Sequence, residues 1–110
     1  MPMEQLNKHI RKLLREAMGK AYERELTSEL EKLSASFERW GRGELSPFEL
    51  TEEIHRFHQG PNRELFSRYQ NGDPLLAVAA AVSAGFIRLD ELHPDLHAPV
   101  EQAMTFFASR

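Results

Sequence analysis

The chain contains no cysteine, which excludes a disulfide framework, a thiolate zinc site and a cysteine nucleophile. Glycine and proline are in no excess, at six each in 110 residues, which excludes a collagen-like or low-complexity chain. Long apolar runs are missing too: the most apolar stretch, Leu75 to Ile87, covers 13 residues, short of the ~20 that span a bilayer. No membrane association is therefore expected. The opening Met1-Pro2-Met3-Glu4-Gln5 lacks the apolar region of a secretory leader, so a cytoplasmic location is expected. No charge sign dominates: 14 Lys and Arg face 17 Asp and Glu, for a net charge of −3. That balance argues against a uniformly basic nucleic-acid or membrane-surface protein. What is present, 41% hydrophobic and 28% charged residues, is the composition of a globular protein. The length fits one domain spanning 1–110.

Between Met3 and Trp40 there is no proline and Gly19 is the one glycine. Leu, Glu, Lys, Arg and Ala dominate and no run alternates with period two, so propensity and pattern both predict helix throughout. At ~100° per residue, Leu6, Ile10, Leu13, Leu14 and Ala17 form one apolar stripe. Leu26, Leu30, Leu33, Phe37 and Trp40 form another, displaced by roughly 160°. One straight helix with one buried face cannot serve both. Either it breaks between Gly19 and Ser28, where Ser28-x-x-Glu31 could cap a restart, or its halves bury against different partners. The second is expected, because Gly19 alone costs a helix only ~1 kcal/mol relative to Ala.

A new helix starts at Ser46, with Pro47 at the first helical position and Glu49 placed to complete a capping box. Leu45 and Leu50 occupy the positions of a hydrophobic staple, and Leu50, Ile54 and Phe57 form the expected buried stripe. Gln59-Gly60-Pro61 reads as its end, with Gly60 in the left-handed position, and Pro61 as the opening of a third helix carrying Leu65, Phe66 and Tyr69. Asn71-Gly72-Asp73-Pro74 is a turn followed by another cap-then-proline start. Leu75 to Ala84 is apolar nearly all round and is expected to be a central helix packed on several sides, closed by Gly85. Val100, Ala103, Met104 and Phe107 share a last helical face. The expectation is an all-α, single-domain bundle of five to six helices, with a long amino-terminal helix and a central apolar one.

Trp40-x-x-Gly43, Ser46-x-Phe48-Glu49-Leu50, Ile54-His55-x-Phe57, Gly60-x-x-Arg63-Glu64-Leu65 and Leu76-Ala77-Val78-Ala79 together resemble a small all-helical family of bacterial proteins without an assigned activity. The likeness runs from about Phe37 to Leu92. It implies a bacterial cytosolic origin and no particular chemistry.

The histidines fall as His55 with His58 and His93 with His97, while His9 stands apart. Imidazoles three or four residues apart share a helix face and can share a metal. Glu52-x-x-His55 is half of the carboxylate–histidine pattern of di-iron bundles, which makes Glu52, His55 and His58 the metal candidates. Asp90-x-x-His93, the nearest second half, adjoins Pro94. There is no Gly-x-Ser-x-Gly elbow and no Gly-rich phosphate loop; no catalytic residue and no cofactor are assigned. Residues 1–24 set Lys8, Arg11, Lys12, Arg15, Lys20 and Arg24 against Glu4, Glu16 and Glu23, a local basic excess that could meet nucleic acid. The segment around Gly60-Pro61 also reads superficially as helix-turn-helix, but Arg56 stands where close helix packing wants a small side chain.

The two-stripe helix suits an interaction or regulatory module better than either the nucleic-acid or the metal-enzyme alternative. If residues 1–24 project as an arm, Leu6, Ile10, Leu13, Leu14 and Ala17 are the self-association residues, and a homodimer is the expected partnership. An unidentified protein partner is the other possibility.

Overall fold

A computed structural model describes the backbone of residues 2–108 and the side chains of residues 8–107. The described residues are helical and contain no strand. In chain order they form α1 (Pro2–Gly41), α2 (Pro47–Phe57), a π turn (His58–Asn62), α3 (Arg63–Asn71), α4 (Pro74–Ser83), 3₁₀ turns at Leu89–Glu91 and Pro94–Leu96, and α5 (His97–Ala108).

Helix α1 runs through Gly19 without a break, as the absence of a stronger breaker predicts. Its 40 residues at ~1.5 Å rise account for the longest dimension of a molecule measuring 58 × 26 × 23 Å. The radius of gyration, 17.4 Å, exceeds the ~13 Å of a compact domain of this size. Gly19 is exposed and a Cβ added there would meet nothing within 4 Å. Gly19→Ala is therefore expected to raise stability by up to ~1 kcal/mol, read as a higher midpoint in thermal or urea unfolding. A lowered midpoint would mean that the helix is not continuous in solution.

The helix ends follow their local chemistry. Ser46 Oγ accepts from the Glu49 amide at 3.0 Å, and Glu49 accepts from the Ser46 amide at 2.9 Å. Leu45 and Leu50, the staple pair, are both buried. Asp73 caps α4 through the amides of Leu75 and Leu76. Gly43 and Gly85 have φ of 78° and 87°. At each, the next residue's amide reaches back to close a Schellman motif, Glu44 to the Arg39 carbonyl and Phe86 to the Ala81 carbonyl.

Gly60-Pro61 is not a helix end. Phe57, Asn62 and Arg63 keep helical dihedrals, so α2, the π turn and α3 run on as one helix, and the described residues form four helical rods rather than five or six. Proline carries no N–H and its ring clashes with the carbonyl four residues back. The wider π turn accommodates both facts without stopping the helix. This also removes the helix-turn-helix reading. Of the side chains assigned to this stretch, Leu50, Leu65 and Tyr69 are buried, whereas Ile54 and Phe66 are exposed.

Helix α4 is the most buried rod. Ala77, Val78, Ala79 and Ala81 are all buried, and α4 packs chiefly on α5 and α1. Only Leu76 among its leading apolar residues turns outward. Val100 of α5 is fully buried, with Ala103, Met104 and Phe107 packed around the same core.

The use of α1 reverses the expectation. Leu14, Ala17 and Ala21 are buried in the molecule's own core, with Ile10, Leu13, Met18 and Tyr22 packed beside them. The side chain of Leu6 lies outside the described residues. Residues 9–24 are thus no projecting arm: the short helices α4 and α5 and the 3₁₀ turns gather around this part of α1. The carboxy-terminal half, expected to be buried by helices two and four, packs mainly on α2, with Arg24 and Glu25 at its start bonded to Glu91 and to Arg68 and Tyr69. Leu26 and Leu33 are half-buried there, while Leu30, Phe37 and Trp40 remain 46%, 44% and 46% exposed. Ten-residue α4 is ~15 Å long and cannot cover both halves of a 40-residue helix.

Candidate functional site

The α1–α2 hairpin extends beyond the core as a two-helix layer. Two helices side by side bury one stripe each and leave their flanks open. Ser36 Oγ donates to Glu53 Oε1 at 2.8 Å, which fixes one flank as polar. One residue further along, a side chain turns ~100° about its helix axis, and because the two helices are antiparallel the turns are of opposite sense and carry both side chains across to the same flank. Phe37 and Ile54 therefore share the opposite flank, and Leu30 joins them on the helical spacing of α1. Thr27, Ser34 and Gly41, seven residues apart along the rim of this flank, are exposed and uncharged. Trp40 is exposed towards the hairpin tip, and Phe48, 87% exposed, stands on the outer side of α2. Sequence periodicity placed Phe37 and Trp40 in a stripe but could not show that its partner is too short. Phe48 carried a clearer signal, since it falls off the Leu50/Phe57 stripe.

The base of the hairpin is held by two charged clasps. Glu25 is buried, yet Tyr69 donates to it at 2.6 Å and Arg68 donates to both its oxygens at 3.1 Å. Burial, reinforced by the carboxylate, pushes the Tyr69 hydroxyl above its ordinary range. Tyr22 stacks on Tyr69 with ring centroids 5.0 Å apart. Arg24 grips both oxygens of Glu91 at 2.9 and 2.8 Å and also donates to the Phe86 carbonyl. Those hydrogen bonds, with one from the Arg88 amide, hold the Glu91 carboxyl down at about 2. Both clasps tie α1 to the rest of the body, and the partners of each charge are other protein groups.

The metal candidates do not converge. Glu52, His55 and His58 are all exposed; Glu52 faces Arg56 at 3.8 Å and His58 meets Asn62 at 3.5 Å. His97 bonds the Leu92 carbonyl. Among the described residues, the group of metal-ligating atoms within 4.8 Å of one another is His9, His93 and Asp95, and His9 is no longer solitary. No local spacing could reveal this, since His9 and Asp95 are 86 residues apart in sequence.

Concave surface is modest. A groove of about 540 Å³ lies where α4 ends beside α5 and is lined by Ser83, Leu89, Glu101, Met104, Thr105 and Phe107. Its Thr105 hydroxyl is already bonded to the Gln102 carbonyl at 2.6 Å. The basic side chains Lys8, Arg11, Lys12 and Arg15 are all exposed, within an arc of ~100° on α1. Among the described residues, no helix is long and apolar enough to cross a membrane. Compared with known proteins, the chain matches no family model, and neither a curated protein nor a solved structure matches it.

Proposed function

We propose that the protein is a non-enzymatic helical interaction module that pairs with a second copy through the flank of its α1–α2 hairpin. The observation that carries this reading is the exposure of Leu30, Phe37, Trp40 and Ile54 on a two-helix layer. Aromatic side chains carry ~150–250 Å² each, so these four leave roughly 300–400 Å² of apolar surface, in the range that marks functional patches. Two hairpins related by a two-fold axis complete a four-helix bundle, in which each flank covers the other. Burying roughly 700 Å² of apolar surface across both copies supplies the favourable term, which has to exceed the cost of lost translational and rotational freedom and of ordering the interface. The uncharged rim of Thr27, Ser34 and Gly41 permits close approach. The setting that goes with this reading is the cytoplasm of a bacterium.

Light scattering tests it. The parent is expected at twice the monomer mass of 12.7 kDa, and Leu30→Glu with Phe37→Glu at the monomer mass with unchanged helicity. A folded, monomeric parent at high micromolar concentration would sink the reading. Ile10→Glu with Leu14→Glu, by contrast, is expected to unfold the protein, because Leu14 is core.

A second reading has its own support. The Lys8, Arg11, Lys12 and Arg15 face could track phosphates. Salt-sensitive retention of DNA or RNA, lost when those four are neutralised, would favour it.

A further inference from the structure

The first turns of α1 meet the start of α5 at a point where two imidazoles and a carboxylate converge. His9 Nε2 lies 2.9 Å from Asp95 Oδ2, and His93 Nδ1 lies 3.8 Å from the same oxygen. The two rings stand edge to face with centroids 5.5 Å apart. We propose that His9, His93 and Asp95 form a binding site for a divalent transition metal of the zinc class.

The donor set argues for that class. Two imidazole nitrogens and one carboxylate oxygen match zinc sites in which three protein ligands leave one position for water. Calcium and magnesium favour all-oxygen surroundings, so the two imidazoles select the transition series. Ligand atoms ~2.0–2.2 Å from a tetrahedral ion lie ~3.3–3.5 Å from one another. Of the present separations, none above 4.8 Å, the 3.8 Å between His93 Nδ1 and Asp95 has to close by a few tenths of an ångström and the 2.9 Å between His9 Nε2 and Asp95 has to open slightly. Exposed side chains achieve this by small rotations about χ1 and χ2. All three residues are exposed, so an ion has a direct approach.

The protein also sets a limit on affinity. His93 Nδ1 accepts the Asp95 amide at 3.0 Å, which caps the Pro94–Leu96 turn. The lone pair in that bond is the one that faces the carboxylate. Metal binding through Nδ1 therefore exchanges a cap hydrogen bond for a coordinate bond. Binding through His9 Nε2 also requires the neutral tautomer whose proton sits on Nδ1, so the hydrogen bond from Nε2 to Asp95 is given up. The ion would staple the amino-terminal turns of α1 to the residues that open α5, joining segments 86 positions apart. This site is remote in sequence from the hairpin flank and stands independently of self-association.

The test uses the untagged full chain, titrated calorimetrically with zinc chloride in a non-coordinating buffer. Cobalt(II) absorption reports the geometry, and histidine NMR signals of the parent report the ligands directly. One equivalent is expected to bind, with a four-coordinate cobalt spectrum and shifts confined to His9 and His93. His9→Ala should weaken zinc by more than the ~10–100-fold typical of losing an outer-shell partner. Its metal-free melting should barely change, since an exposed ion pair contributes little to stability. His55→Ala and His58→Ala should leave binding intact. Absence of saturable binding, binding undiminished in His9→Ala, or shifts at His55 and His58 instead would each overturn the assignment.

Discussion

Val78→Asp is expected to abolish cooperative folding or to lower the melting temperature by tens of degrees. Val78 is 0% exposed and sits on the rod that packs against both α1 and α5. A carboxylate there has no partner and no water. It must either remain charged in an apolar interior or take up a proton, and both options cost several kcal/mol. A loss of ~4 kcal/mol corresponds to roughly 15–30 °C in a domain of this size. Denaturant unfolding followed by circular dichroism measures it. A near-unchanged midpoint would mean that α4 is not the centre of the core.

The next largest effect is expected at Glu25. Glu25→Ala strands the Tyr69 hydroxyl in a buried position and removes both acceptors of Arg68. A buried pair broken on one side costs ~3–5 kcal/mol when the orphan charge stays buried. Arg68 is 43% exposed, so water re-solvates part of its guanidinium and the loss should be smaller, about 2 kcal/mol. Glu25→Gln keeps an acceptor for Tyr69 and should lose about half as much. Urea unfolding of the parent and the two variants supplies the comparison. Equal stability of all three would show that the clasp does not hold α1 to α3.

Much of the fold was legible because its punctuation is local. The Ser46 capping box, the Asp73 cap and the Gly85 terminus each depend on a few neighbouring residues, and each forms as its chemistry dictates. Gly60-Pro61 misled because proline is an equally good opener and interrupter of helices. Whether a π turn absorbs it depends on whether both flanking segments have something to pack on. The two stripes of α1 were visible, but their fates were not. Periodicity shows that a face is apolar, whereas burial depends on the lengths and positions of the helices that arrive opposite it. Here α4 and α5 are short and lie beside Leu14 to Ala21, so Phe37 and Trp40 are left with α2 alone. His9 and Asp95 could not be paired in advance, since nothing local relates residues that only the tertiary fold brings together.

If the hairpin flank, and not the amino-terminal half of α1, joins two copies as proposed, labels placed on the two faces will report different distances between protomers. Because the chain lacks cysteine, a single introduced cysteine carries a spin label at one defined place. Ser34→Cys places it on the rim of the flank, and Lys12→Cys places it on the exposed face of the other half. Double electron–electron resonance then reads distances between protomers. The Ser34 label is expected to give a short, narrow intermolecular distance and the Lys12 label a long one or none. Intermolecular coupling absent at Ser34, or short at Lys12 instead, would contradict the account.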